Sequence, residues 1–159
     1  MSMESWTDVY QGDLGIVLPD TFTTEVFLRS FNSFYAKLFD GIRQDSGDPI
    51  TFTDKVISHY KKLKIDPTTK TIIYSDGISS IQKIRDIMAH REDEIRKAFG
   101  IGTWLTNDLD LKPLNMVIKM TGAKPFGMNW IPTIKLSDSE GKHTGQTEEI
   151  ELSKKILRI

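Results

Sequence analysis

The sequence predicts an α/β fold: four parallel strands alternating with helices, equivalent to half of an α/β barrel, then a β-hairpin and a closing helix. Three observations carry this. Short branched apolar runs alternate with stretches of helical periodicity, the pattern of a parallel sheet. The strand exits at Asp20, Asp45, Asp76 and Gly102 recur 25, 31 and 26 residues apart, close to the ~30 residues of a strand–helix–strand unit. Each exit is built of Asp, Ser, Thr or Gly, which puts polar groups on the carboxyl-end rim where such folds bind ligands.

In chain order, Leu14-Gly-Ile-Val-Leu18 reads as a buried strand stopped by Pro19-Asp20. From Thr21 to Lys37, Phe27, Phe31, Phe34 and Tyr35 recur at steps of three and four and Leu38 continues the face, which predicts one helix capped by Thr23 or Thr24. Phe39 to Arg43 is a weak strand that runs out into Gln44-Asp-Ser-Gly-Asp-Pro49. Val56, Ile57, Tyr60 and Leu63 mark a second helix, Asp66-Pro67 a turn, and Thr71-Ile-Ile-Tyr74 the clearest strand. A third helix carries Ile81, Ile84, Ile87 and Met88 on one face, with Ser79 or Ser80 as cap. Arg91 to Lys97 fits either an extension of that helix or a lead into the strand before Gly100-Ile-Gly102-Thr103.

The tail changes style. Leu114 to Met120 and Trp130 to Leu136 are strand-like and predict a hairpin, and Glu148 to Ile159 predicts the closing helix. Residues 1–110 are thus expected to form the half-barrel and residues 111–159 to belong to a smaller domain. Half of an eight-unit barrel has two bare edges, so the chain is expected to be a piece of a longer protein and to associate as a dimer or larger assembly.

Composition narrows the function. The net charge is −1 with acids and bases interspersed, which gives no surface for nucleic acid or membrane. There is no cysteine, so disulfides, thiolate metal sites and a cysteine nucleophile are excluded. No run approaches the ~20 apolar residues of a membrane span, and the acidic N-terminus is not a signal peptide. A cytoplasmic protein is expected.

The densest chemistry lies in Gly41-Ile-Arg43-Gln-Asp45-Ser46-Gly47-Asp48-Pro49. Arg43 can grip a phosphate with two hydrogen bonds. Asp45 and Asp48 can hold ribose hydroxyls or a hydrated Mg²⁺, and Asp76 beside Gly77 can do the same. Gly100, Gly102 and Thr103 can offer backbone N–H groups to a phosphate. The Asp-Ser-Gly-Asp-Pro stretch is equally good turn and helix-cap chemistry. His59, His90 and His143 fit surface histidines, the methionines and the Phe stripe fit core, Trp6 and Trp130 fit packing, and Trp104 is placed to line a pocket.

Six segments, in order, resemble the nicotinate phosphoribosyltransferase family: Leu14 to Phe22, Gly41 to Pro49, Tyr74 to Gly77, Phe99 to Asp108, Lys112 to Lys119 and Lys135 to Lys142. The resemblance covers the chain from about Trp6 onward. It implies part of an irregular α/β barrel of the type II phosphoribosyltransferases, with a second, partly β domain. The implied reaction joins nicotinate to phosphoribosyl pyrophosphate, giving nicotinate mononucleotide and pyrophosphate in NAD biosynthesis. Mg²⁺ and coupling to ATP, hence a ligase classification, come with it. By the resemblance, Asp20, Arg43, Asp45 and Asp76 contact the ribose and pyrophosphate, with Asp20, Arg43 and Asp45 at the chemistry. Thr21, Ser46, Ser75 and Gly77 complete the substrate rim, Gly100, Gly102 and Thr103 hold the 5′-phosphate, and no residue is a dedicated metal ligand. The family's N-terminal half, with the aromatic residue that stacks on nicotinate and the histidine phosphorylated by ATP, has no counterpart here. The chain alone is therefore expected not to turn over. A phosphate- or nucleotide-binding remnant, and an enzyme acting on nicotinamide, stand beside this reading.

Overall fold

All four expected strands form, and they lie side by side in chain order. The computed structural model describes residues 2–13, 15–107, 109, 111, 114, 116–139 and 141–159. Strands β1 (Ile16–Val17), β2 (Gly41–Gln44), β3 (Thr71–Tyr74) and β4 (Arg96–Phe99) make one parallel sheet, with Ile42 opposite Val17 and Ile72, and Ala98 opposite Ile73. The first strand is shorter than the apolar run around it, and Leu14 lies outside the described residues. Among the described residues the sheet is open, with β1 and β4 at its edges.

Alternation decides what each face does. Ile42, Gln44, Ile72 and Tyr74 point one way and are fully buried. They pack under the helices with Phe31, Ala36, Phe52, Val56, Ile57, Tyr60 and Ile87. Arg43, Ile73 and Ala98 point the other way, Arg43 exposed and the others half-buried. The helix residues of the core cluster pack on the first face, so among the described residues the second is the less covered of the two.

The connecting helices follow their caps. Helix α1 (Ser2–Tyr10) precedes β1 and sets Trp6 against Tyr10 with the rings tilted at 39°; the sequence reading has no helix there. The single helix expected over 21–37 is two, α2 (Thr24–Ser30) and α3 (Ser33–Leu38). Thr23 caps the first, accepting from Val26 N, and Asn32 caps the second, accepting from Phe34 N and Tyr35 N. The Asn32 side chain competes with the helix for backbone donors and restarts it. The break swings Phe34 out to solvent, while Phe27 stacks on the buried Phe31 at 4.8 Å. Helix α4 (Pro49–Lys62) begins at the Asp48 cap with Pro49 in its first turn, and α5 (Ile81–Ala89) at the Ser80 cap. The expected Asp66-Pro67 turn forms as a 3₁₀ turn over Pro67–Thr69 with Asp66 as its cap. Arg91 to Ile95 is a connection and β4 starts at Arg96, so the charged segment leads into a strand.

Two lysines close the amino-end of the sheet. Lys70 Nζ donates to Lys37 O and Phe39 O, and Lys97 Nζ to Met88 O, which satisfies the last carbonyls of α3 and α5. Burial lowers the pKa of both ammoniums.

After β4 come the one-turn helix α6 (Thr103–Thr106), β5 (Gly122–Ala123), β6 (Ile131–Pro132) and α7 (Thr147–Leu157). The expected hairpin exists, but its first arm is displaced. Gly122–Ala123 pairs antiparallel with Ile131–Pro132, and residues 116–120 are not a strand. An alternating run forms a strand only with a partner, and here Met116, Val117, Ile118 and Met120 are exposed. One assignment to the core also changes: Met88, Met116, Met120 and Met128 are exposed rather than core. The closing helix is tied down by Arg29 Nη2, which donates to Leu157 O at 2.8 Å.

Two buried tyrosines behave oppositely. Tyr74 shares a 2.6 Å hydrogen bond with Thr53 Oγ1, whereas the Tyr60 hydroxyl has no partner among the described residues. Tyr74→Phe is expected to cost about 1 kcal/mol and Tyr60→Phe to be neutral or stabilising, because an unmade buried hydrogen bond is the expensive case. Thermal unfolding of the two variants checks this; a Tyr60→Phe loss as large as that of Tyr74→Phe would contradict it. Burial pushes the Tyr74 phenol up to about 12 despite its bond to Thr53, and raises Tyr60 further. A pKa raised on folding adds stability that is complete below the unfolded value of 10.0 and vanishes as pH climbs toward 12. Melting temperature should therefore fall steeply between those pH values.

Candidate active site

Helices that return antiparallel to the strands leave the carboxyl ends of β2 and β3 on one rim, next to each other by register. Arg43 leaves β2 on the less covered face. Its Nη2 donates to Asp45 Oδ1 at 2.8 Å and its Nε to Ser75 Oγ at 3.0 Å. Ser75 Oγ in turn lies 2.8 Å from Asp45 Oδ1 and 2.9 Å from Gln44 O. Three side chains from two strand exits thus form one array. Among the described residues two of the five guanidinium N–H donors are used this way, and the side chain is exposed.

Electrostatics keep the array charged. Burial pushes the Asp45 carboxyl up, but hydrogen bonds from Arg43 and Ser75, with the charges of Arg43 and Lys135, outweigh it and hold it below the usual aspartate value. Behind the rim, buried Gln44 donates from Nε2 to Ser46 O and Gly47 O, both at 3.0 Å, and pins the loop that carries Asp45. Gly47 sits at φ +76°, a left-handed conformation suited to glycine.

The other expected residues divide. Asp20, three residues past the last paired residue of β1, is buried, and its Oδ2 meets Lys135 Nζ at 2.8 Å. Thr21 is exposed, and its carbonyl accepts Leu136 N. Asp76 is half-buried beside Ser75, and Gly77 turns the chain at φ +59° while its carbonyl accepts Lys83 Nζ at 2.8 Å. Gly100 closes on the array: its N–H donates to Tyr74 O at 2.8 Å, and a Cβ there would stand 3.2 Å from Ser75 Cβ. Gly102 and Thr103 are exposed at the start of α6, with no protein atom within 4 Å of where a Gly102 Cβ would be. Ser46 is buried away from Arg43 and lines a pocket with Thr24, Asp48, Thr51 and Lys55. Asp48 holds Thr51 N as the α4 cap, so its carboxylate serves the helix.

The histidines lie elsewhere. His59 and His90 sit at the C-terminal ends of α4 and α5, at the opposite end of the sheet, half-buried and bonded to Phe31 O and Asp54. His143 is half-buried in the loop before α7. None is the plain surface residue expected. Among the described residues no group of three or more His, Asp or Glu is placed to hold a metal, and no helix is long and apolar enough to cross a membrane.

Lys135 reaches this rim through its ion pair with Asp20. Its run of sequence resembles the family, but nothing local marks the ammonium as part of a rim built far earlier in the chain. Only the fold brings it there.

A four-stranded parallel sheet with its polar side chains gathered at the carboxyl-end rim places the chain in the α/β class of folds. The chain belongs to the nicotinate phosphoribosyltransferase family, whose model matches residues 1–159. The nicotinate phosphoribosyltransferase of Chromohalobacter salexigens is 52% identical over all of this chain and 40% of its own length; that of Desulforapulum autotrophicum is 51% identical over 98% of this chain and 40% of its own. The crystal structure of the Porphyromonas gingivalis enzyme superposes on 99% of this chain and 41% of its own with a TM-score of 0.93 at 45% identity. The Vibrio cholerae enzyme does so at 0.87 and 34% over 99% and 38%. This chain therefore spans about 40% of the length of the curated relatives it matches.

Proposed function

We propose that the strand-exit rim binds phosphoribosyl pyrophosphate and serves the transfer of its ribosyl group to nicotinate, giving nicotinate mononucleotide and pyrophosphate in NAD biosynthesis. The observation that carries this is the Arg43–Asp45–Ser75 array at the carboxyl ends of adjacent parallel strands, in a chain of this family.

In that reaction the C1–oxygen bond breaks with its electron pair going to pyrophosphate, and the ring nitrogen of nicotinate gives its lone pair to C1. No proton must be removed, so the site needs positioning and charge stabilisation rather than a strong base. Arg43 is suited to the pyrophosphate, where negative charge grows. Asp20, Asp45 and Asp76 are suited to the ribose, where positive charge develops, and to its hydroxyls. Thr21, Ser75 and Gly77 shape the rim, and the exposed backbone at Gly102 and Thr103 suits the 5′-phosphate, whereas the Gly100 N–H is already given to Tyr74 O and leaves Gly100 a packing role. Ser46 supports the Asp45 loop from behind.

Mg²⁺ fits these residues, because it takes one or two carboxylates together with water and substrate phosphates. Asp76 and the Oδ1 of Asp20, which has no partner among the described residues, would supply such oxygens; the ion would offset charge on the leaving pyrophosphate. ATP coupling is part of the proposal, with no residue here assigned to it.

The less covered sheet face supports a further element. Parallel sheets have both faces covered, so the face bearing Arg43 and Ile73 is the interior of an α/β barrel completed by the rest of the enzyme. Residues 111–159 belong to its smaller domain, and the working form is a cytoplasmic dimer. Calorimetric titration of the chain with phosphoribosyl pyrophosphate and Mg²⁺ tests the rim: saturable heat is expected, and its absence would sink the assignment.

A further inference from the structure

We propose that Lys135 is a positioning residue of the rim, holding the Asp20 carboxylate by one oxygen so that the other is presented to the ribose hydroxyls or metal-bound water of the phosphoribosyl ligand. This rests on the function proposed above.

The segment around Lys135 is anchored on both sides. Its backbone N–H and carbonyl both bond Thr144, at 2.9 and 2.8 Å. The next residue, Leu136, is fully buried and donates its N–H to Thr21 O at 2.9 Å. Asp138 accepts Thr24 N at 2.9 Å and the Thr24 hydroxyl, while Ser139 Oγ accepts Gly47 N at 3.3 Å. These contacts strap the segment across the exits of both β1 and β2, which fixes the lysine backbone above the rim.

From that strap the side chain, about a quarter exposed, reaches a carboxylate that is 3% exposed, with Nζ 2.8 Å from Oδ2. The other oxygen, Oδ1, is buried and has no hydrogen-bond partner among the described residues. A buried carboxylate with one oxygen satisfied and one vacant is a group waiting for a donor. An ion pair in such a setting adds little net stability; what it supplies is a fixed orientation. Lys135 also places positive charge near Asp45, so one ammonium joins the β1 exit to the Arg43 array. Without it, Asp20 would be an uncompensated buried charge, free to turn Oδ1 away from the ligand.

The test is a double-mutant cycle on the chain with Lys135→Met, Asp20→Asn and both, read by calorimetric affinity for phosphoribosyl pyrophosphate with Mg²⁺ and by melting temperature. Each single variant is expected to bind on the order of tenfold more weakly, with the double no worse than about twofold beyond either, the non-additivity of residues acting as a unit. Lys135→Arg should recover part of the affinity. Lys135→Met should also lower the melting temperature, and adding Asp20→Asn should restore it, because the stranded charge is then gone. Wild-type binding that Lys135→Met leaves unchanged, or losses that simply multiply in the double variant, would overturn the proposal. A wild-type chain that binds no ligand overturns the reading of the rim itself; a melting-temperature cycle that still couples then marks the pair as structural only.

Discussion

Arg43→Ala is expected to weaken binding of phosphoribosyl pyrophosphate by at least ~30-fold while leaving the protein folded. The affinity loss follows from position. The guanidinium stands exposed at the rim, oriented by Asp45 and Ser75, and losing a charged, hydrogen-bonded contact to a ligand costs on the order of 2–5 kcal/mol. The fold should tolerate it, because the Arg43–Asp45 pair lies at the surface, where such a pair contributes about 0–1 kcal/mol. Arg43→Lys keeps the charge but loses the planar fork that also reaches Ser75, so it should recover only part of the affinity. Calorimetric titration of the three proteins decides the matter. Arg43→Ala binding as tightly as wild type would remove the rim from the proposed reaction.

The largest expected effect on stability comes from Gly41→Ala. A Cβ at Gly41 would lie 1.9 Å from Thr71 O, with Thr71 C and N at 2.8 and 3.0 Å. All three are backbone atoms of the neighbouring strand, so no side chain can move aside. The β2–β3 ladder must separate where Ile42 meets Ile72 and Gln44 meets Tyr74, the centre of the core. A cost on the order of 4 kcal/mol or more is expected, in the range of core overpacking and backbone conflict. Gly12→Ala, where no atom lies within 4 Å of the new Cβ, is the matched control and should be neutral. Chemical denaturation of the two variants distinguishes them; a Gly41→Ala protein as stable as the control would mean that the sheet is not registered as described. Separating β2 from β3 would also pull Arg43 from Ser75, so any residual folded protein should bind ligand poorly.

Much of this was legible in order along the chain. The alternation of apolar runs and helical stripes sets four strands and their connecting helices, and Thr71 to Tyr74 forms the strand its residues demand. The caps at Thr23, Asp48 and Ser80 follow from short polar side chains at helix starts. Within the Asp-Ser-Gly-Asp-Pro run, Asp48 and Pro49 form the α4 cap, and Asp45, three residues earlier, lies against Arg43 and Ser75 at the rim.

Where local pattern failed, a competing partner won. The Phe stripe from Phe27 to Tyr35 continues in sequence but not in space, since Asn32 takes the backbone donors of Phe34 and Tyr35 and restarts the helix. Residues 116–120 have a strand's alternation without a strand beside them, and pairing settled on Gly122 and Ala123 instead.

The sequence by itself determined the class of fold, the four exits and the chemistry each carries, because strand period, helix period and turn residues are local properties of the chain. Which of those groups meet was decided only by tertiary structure. Parallel register sets Ser75 against Arg43 and Asp45, and the strap at Leu136 to Ser139 brings Lys135 onto Asp20. Contacts between residues so distant in sequence carry no periodic signature, since they exist only after the sheet has formed and the tail has folded back across its rim.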